Sequence, residues 1–179
     1  MPESLCYNFI GLDLIYVVLV TVNQNRHPLR INVGFLINQP VGSTRDIHFD
    51  FPSLSLQNDL DVYDLKGVVR LGRTPQGILL QGDFNAVVKA ECVRCLGEAN
   101  QSLHTQFQEL FAFSSRSVSE SGLILPEDGN INLEPILREY LLVEVPISPL
   151  CREDCKGLCP VCGEDLNTVG VEHNHQTQE

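Results

Sequence analysis

Four cysteines, Cys151, Cys155, Cys159 and Cys162, stand within twelve residues of a segment that has few large apolar side chains for its length. Residues 147–179 therefore cannot be ordered by a packed core of their own, and something else must offset the entropy of fixing them. The spacing names a source of order. Zinc takes four soft or borderline ligands in a tetrahedron, with bonds to sulfur of about 2.3 Å. Two cysteines separated by two residues reach one ion when the backbone turns tightly between them. Cys159-Pro-Val-Cys162-Gly163 has this form, the glycine allowing the turn that aims backbone N–H groups at sulfur. A second and weaker Cys-x-x-Cys, Cys92-Val-Arg-Cys95, lies far upstream.

Three ligand sets fit this pattern. A local site uses Cys151, Cys155, Cys159 and Cys162 and needs no long-range geometry. A bridging site joins Cys92 and Cys95 to Cys159 and Cys162. In a third set His173 and His175 replace cysteines. Each holds one zinc ion, closed by four protein ligands and so structural rather than catalytic. A redox role for Cys92 and Cys95 is the alternative. A thioredoxin-like pair belongs at a helix start in a βαβ unit, however, and this pair ends a strand.

Seven cysteines would suit a disulfide scaffold in a secreted chain. The first Lys or Arg is Arg26, so the positive n-region of a signal peptide is missing, and the expected setting is the reducing cytoplasm. The apolar stretch Phe9 to Val22 contains Asp13 and is short for a membrane span. It reads as a buried strand, as a poorly ordered leader or as an interfacial anchor. Cys6 within it is a small core or surface residue. His27, His48 and His104 carry no motif, and Asp59, Asp61 and Asp64 read as a solvated loop. With no Ser-His-Asp order, phosphate-cradling glycine loop or paired-carboxylate motif, an enzyme is not supported, and no small-molecule substrate is expected.

The formal net charge is −11, and most of the acidic excess follows residue 100. Binding nucleic acid through phosphates needs a basic footprint. An acidic chain suits a basic protein partner better, or an RNA–protein complex touched through its proteins.

Upstream of the cysteine-rich segment the chain reads as strands. Leu29, Ile31, Val33, Phe35 and Ile37 alternate with their neighbours, as do Ile47, Phe49 and Phe51 before Pro52. A third strand spans Leu65 to Leu71, and Arg73-Thr-Pro-Gln-Gly77 supplies a hairpin turn. The return strand places Leu80, Gly82, Phe84, Ala86, Val88, Ala90 and Cys92 on one face, with Gly82 a candidate bulge. Leu103 to Phe113 form another strand, and residues 114–129 an exposed loop. A helix follows, with Asn132 as N-cap, Pro135 in its first turn, and Leu133, Ile136, Leu137, Tyr140 and Leu141 at helical spacing before Pro146. The expected fold is α+β: a mainly antiparallel β-meander packed by one or two helices, with a small C-terminal zinc-knuckle tail. The expected divisions are an extension at 1–27, a β-rich domain with its helix at 28–146, and a Cys-rich tail at 147–179.

Glu91-Cys-Val-Arg-Cys-Leu96, the helix ending in Val145-Pro146, and Cys151-Arg-Glu-Asp-Cys-Lys-Gly-Leu-Cys-Pro-Val-Cys-Gly-Glu-Asp-Leu-Asn167 together resemble the YceD family of large ribosomal RNA subunit accumulation proteins. The resemblance runs from about Leu29 to Asn167. It implies a non-enzymatic role in ribosome biogenesis, needed for accumulation of 23S ribosomal RNA in bacteria and plastids. Implied partners are ribosomal proteins or assembly factors of the large subunit, with 23S RNA contacted directly or indirectly. By the motif, Cys92 and Cys95 match the family's most widespread pair, and Cys151, Cys155, Cys159 and Cys162 match a group that some members keep. Many of those members carry a further Cys-x-Cys after Leu-Asn. Here His173-Asn-His175 stands at a similar but different offset, so the resemblance assigns no ligand beyond Cys162. With the charge, it favours an acidic adaptor over a module that grips RNA directly.

Overall fold

A computed structural model describes residues 28–57, 59–117 and 121–169. The leader at 1–27, with Cys6 and His27, and the tail residues His173 and His175 lie outside them. In chain order the elements are β1 (Arg30–Asn32), α1 (Gly34–Ile37), β2 (Thr44–Leu56), β3 (Leu60–Arg73), β4 (Gly77–Glu91), β5 (Glu98–Ala112), β6 (Asn130–Asn132) and α2 (Glu134–Glu144). Strands β2, β3, β4 and β5 form an antiparallel meander in sequence order, and β1 pairs with β6 in a separate ribbon. The fold is thus the α+β meander expected from the alternation.

One face of the meander is apolar because its alternate residues are. Leu65, Val69, Leu71, Ile78, Leu80 and Phe84 are fully buried there. Against this face packs α2, whose Leu137 and Leu141 are also fully buried. A ladder of rings crosses the core from the edge strand to the helix. Phe49 lies 5.8 Å from Phe84, Phe84 6.1 Å from Phe107, and Phe107 4.7 Å from Tyr140, between ring centroids. Tyr140 anchors the far end by donating its hydroxyl hydrogen to Glu109 at 2.9 Å. That bond, with burial, raises the phenol's pKa.

Two glycines make room for this ladder. A Cβ on Gly82 would stand 2.4 Å from Cζ of Phe107, and one on Gly67 would stand 2.3 Å from Cδ1 of Phe84. Pairing is continuous through Gly82, opposite Phe107. Gly82 is therefore not the bulge that the sequence suggested; it marks close approach of a ring. The register does shift between Tyr63 and Lys66 on β3, around Asp64, whose φ is 48°.

Other local expectations change for physical reasons. Pro52 does not end its strand: β2 runs through it to Leu56. An edge strand tolerates the missing N–H, because that bond would face solvent. The segment Leu29 to Ile37 is extended only to Asn32 and then coils into α1. The Val33 N–H donates to the Gly129 carbonyl at 2.7 Å, and the Gly34 N–H to Oδ1 of Asn32 at 3.1 Å, turning the chain out of line. Asn132 does its capping from β6, one residue earlier than expected. Its Oδ1 accepts the Glu134 N–H at 3.2 Å, while Leu133 occupies the cap position. Asp61 and Asp64 lie on β3 rather than in a loop, and Asp59 pairs with Arg138 of α2.

Candidate metal centre

The β4–β5 hairpin ends in a tight turn that carries the first two cysteines. The Cys92 N–H donates to the Gly97 carbonyl at 2.8 Å and the Leu96 N–H to the Cys92 carbonyl at 2.9 Å, with Leu96 at a φ of 58°. After α2 the chain returns to this turn. The Val93 N–H donates to the Pro149 carbonyl at 3.0 Å, and the Gln101 side-chain amide to the Leu150 carbonyl at 2.9 Å. These two bonds deliver Cys151 and Cys155 to the end of the hairpin.

Cys92, Cys95, Cys151 and Cys155 come together there with all four sulfurs within 4.8 Å of one another. The Sγ atoms of Cys92 and Cys155 are 3.8 Å apart, and those of Cys95 and Cys151 3.6 Å apart. A tetrahedron with metal–sulfur bonds of about 2.3 Å has edges of about 3.8 Å. A disulfide needs about 2.05 Å, and all four are free thiols. The donor set and the spacing fit a soft or borderline divalent cation, so these four cysteines could hold a metal ion.

This quartet is neither the local set nor the bridging set drawn from spacing. It takes the hairpin pair and the first two cysteines of the C-terminal group. Cys159 and Cys162 lie outside it. They form a knuckle of their own, in which the Val161 N–H points at the Cys159 sulfur at 3.4 Å and the Gly163 N–H bonds the Cys159 carbonyl at 2.9 Å. Gly163 has a φ of 78°, the left-handed conformation that favours glycine.

The electrostatics of the quartet are those of crowded sulfurs. Backbone N–H groups of Cys95 and Cys151 aim at the Cys92 sulfur and pull its pKa down to about 6, against the effect of burial. Cys151 is pushed up to about 12, first by the Cys155 sulfur and then by burial. At Cys95 the Gly97 N–H favours the thiolate, but burial and the Cys92 sulfur outweigh it and raise the pKa. Four thiolates crowded this closely would repel one another, and a divalent cation held among them would relieve that repulsion.

Several supporting residues escaped the sequence reading. Arg94 donates from Nη1 to the Cys155 carbonyl at 2.8 Å, and its own carbonyl accepts the Leu158 N–H at 2.9 Å. Gly157 permits that approach: its φ is 78°, and a Cβ there would lie 2.8 Å from the Arg94 carbonyl oxygen. Asn167 points Nδ2 at the Cys155 sulfur at 3.5 Å while its Oδ1 accepts the Lys156 N–H at 2.8 Å. A sulfur facing backbone turns needs such outer partners to fix it. The signal in sequence was the Leu-Asn that follows the knuckle.

A pocket lies elsewhere, an open depression of about 520 Å³ on the polar sheet face, lined among others by Arg70, Gln81, Asp83, Gln106 and Gln108. Its side chains are engaged across strands: Gln81 with Gln108, Gln106 with Asp83, and Arg70 with Asp46. No helix among the described residues is long and apolar enough to cross a membrane.

Comparison with known proteins bears on the same region. The chain is 34% identical over 104 residues to an uncharacterized protein of Mycobacterium tuberculosis, covering 55% of this chain and 49% of that one. It is 32% identical over 111 residues to an uncharacterized protein of Mycobacterium leprae, covering 60% and 51%. With the uncharacterized protein YlbN of Bacillus subtilis the figures are 28% over 98 residues, 51% and 57%. The chain thus spans about half the length of the curated relatives it matches. No solved structure matches it. A family model described as large ribosomal RNA subunit accumulation protein YceD matches residues 80–179, a span that holds most of β4, all of β5 and α2, and all six clustered cysteines. By that match, over more than half its length, the chain belongs to the YceD family.

Proposed function

We propose that this protein is a non-enzymatic ribosome-biogenesis factor that supports accumulation or processing of 23S ribosomal RNA in the cytoplasm. The observation that carries this reading is the family match, which takes in the whole cysteine cluster. In this reading Cys92, Cys95, Cys151 and Cys155 hold one structural zinc ion. The ion clasps the C-terminal segment to the β4–β5 hairpin and presents both as one surface. The four sulfurs leave no open coordination position, so the metal shapes that surface and does no chemistry.

The net charge of −11 supports an adaptor that docks a basic ribosomal protein or assembly factor of the large subunit. A direct RNA grip would need a basic footprint that the composition does not supply. Depletion of the protein in cells is expected to lower 23S relative to 16S ribosomal RNA, and an unchanged ratio would sink the proposal. Pulling down the tagged protein separates adaptor from RNA binder: the adaptor keeps its protein partner after ribonuclease treatment.

One observation favours a second reading. Backbone N–H groups aimed at the Cys92 sulfur, with Cys95 three residues on, are an arrangement shared with redox-active pairs. Cys92 is fully buried, however, and an attacking thiolate needs access. Metal analysis of anaerobically purified protein decides between the two, since stoichiometric zinc with unreactive thiols leaves no pair to cycle.

A further inference from the structure

Among the described residues ten large apolar side chains stand exposed, and seven of them lie at 93–96 or 142–169. Single exposed apolar groups are ordinary on a protein surface. A concentration of them at one end of a molecule marks a contact site. Hydrogen bonds hold that end together. Val93 and Leu96 sit on the β4–β5 turn. Ile147 lies two residues before Pro149, whose carbonyl accepts the Val93 N–H at 3.0 Å. Val161 lies three residues after Leu158, whose N–H donates to the Arg94 carbonyl at 2.9 Å.

Two of these side chains are displayed in ways that the fold does not require. Leu96 holds a φ of 58° while 59% exposed. The left-handed region disfavours a bulky side chain, and glycine or asparagine would sit there with less strain. Among the described residues no burial offsets that strain, and strain without such return points to a role in contact. Ile147 is 99% exposed, between Pro146 and Pro149. The prolines stiffen the backbone on either side, so gripping this side chain costs little conformational entropy.

The surrounding charge selects the occupant. Residues 91–98 and 144–169 carry seven carboxylates against three cations. Two of those cations are engaged internally, Arg94 with the Cys155 carbonyl and Arg152 with Asn167 and Asp154. Phosphates of RNA and an anionic lipid surface would both be repelled. A second copy of the chain would set the same acidic rim against itself. A protein segment whose apolar anchors are flanked by Lys and Arg matches both the apolar centre and the acidic rim.

We infer that the β4–β5 turn and the chain after α2 form a docking surface for such a basic protein segment, with Leu96 and Ile147 as central contacts. The inference rests on the adaptor reading and locates it on the molecule.

Photo-crosslinking of the full-length protein tests it. A benzophenone amino acid replaces Val161 in one variant and Gln81, on the polar sheet face, in another. The probes are the RNA-free total protein of large ribosomal subunits and, separately, naked 23S ribosomal RNA. The expected result is a cross-link from position 161 to a basic ribosomal protein, identified by mass spectrometry, and none from position 81. Adding Leu96→Asn and Ile147→Ser should cut the yield about ten-fold or more, as loss of two central anchors does. Those two substitutions should leave the melting temperature unchanged or higher, since asparagine relieves the strain at position 96; a merely structural role predicts a lower one. A yield from position 81 that equals or exceeds that from 161 overturns this surface and leaves the adaptor reading standing. No protein cross-link from either position overturns both. An undiminished yield after the two substitutions overturns the surface. So does a cross-link from 161 to the RNA, to a second copy or to this chain's own residues 170–179 in place of the ribosomal protein.

Discussion

The sheet body and the cysteine-rich segment after α2 are ordered by different physics. In the body, whole side chains disappear from solvent: Leu65, Val69, Leu71, Phe84, Leu137 and Leu141 are fully buried, each contributing about 1.5–3 kcal/mol. In the segment from 147 to 169, Ile147 is 99% exposed and Val161 74% exposed, and the only buried residues are Cys155, Gly157 and Cys159. Ile147 and Val161 face water while the sulfurs of Cys155 and Cys159 turn inward. Burial holds the body, whereas the segment is held by hydrogen bonds to the hairpin and, in the proposed reading, by a cation among the clustered thiols. Stability in this protein is therefore regional rather than uniform.

That contrast can be broken most forcefully from the body. Phe84→Ala removes the middle of the ring ladder and should cost about 3–5 kcal/mol, a large part of the 5–15 kcal/mol typical of a domain. Denaturant unfolding measures it. Cys92 and Cys95 sit at the end of the strand that carries Phe84, so the metal site should be lost in the same transition. Gly67→Ala comes next. Its methyl group would lie 2.5 Å from the Asp83 carbonyl oxygen as well as against the Phe84 ring, and such overpacking costs about 1–3 kcal/mol. A melting temperature equal to that of the unaltered protein would mean that β3 and β4 yield more readily than their pairing implies.

Metal removal tests the other side. A chelator should abolish amide-exchange protection at 150–169, while the far-ultraviolet spectrum and the protection of β3 and β4 persist. Collapse of both regions together would show that burial does not suffice for the body. The smallest effect belongs to Arg138→Ala. Arg138 bonds Asp59 from Nε at 2.8 Å, raising its own pKa and lowering that of the carboxylate. Asp59 is half exposed and water reaches the pair, so the change in melting temperature should be about 2 °C or less.

The body was legible because strand alternation is a local signal. Leu80 to Cys92 announces its buried face residue by residue, and the pairing of β4 with β5 follows. The exception, Leu29 to Ile37, shows where that reading fails. The alternation is real as far as Val33, but the turn into α1 is set by a bond to Gly129, which no local pattern encodes. Gly82 misled for a related reason, since a glycine in a strand signals either a bulge or a close approach, and only the position of Phe107 distinguishes them. At the metal centre, spacing identified cysteines able to share an ion but not the pairs that meet. That choice rests on Pro149 and Leu150 bonding to the hairpin after α2, a tertiary fact. Arg94 and Gly157 were invisible for the same reason, as their roles exist only across that contact.

The hairpin turn has one more consequence, for the route by which the chain folds. Cys95 and Cys151 are 56 residues apart, and β5, β6 and α2 are all strung between them. An ion bound to both closes that span into a ring. Ring closure removes conformations from the unfolded chain, and the entropy involved grows with the logarithm of the span. A metal captured early would thus shorten the search by which α2 finds β5, without touching a side chain of either. The clasp would then act as a folding guide for the elements it encloses, and the zinc-loaded chain should refold faster than the stripped one.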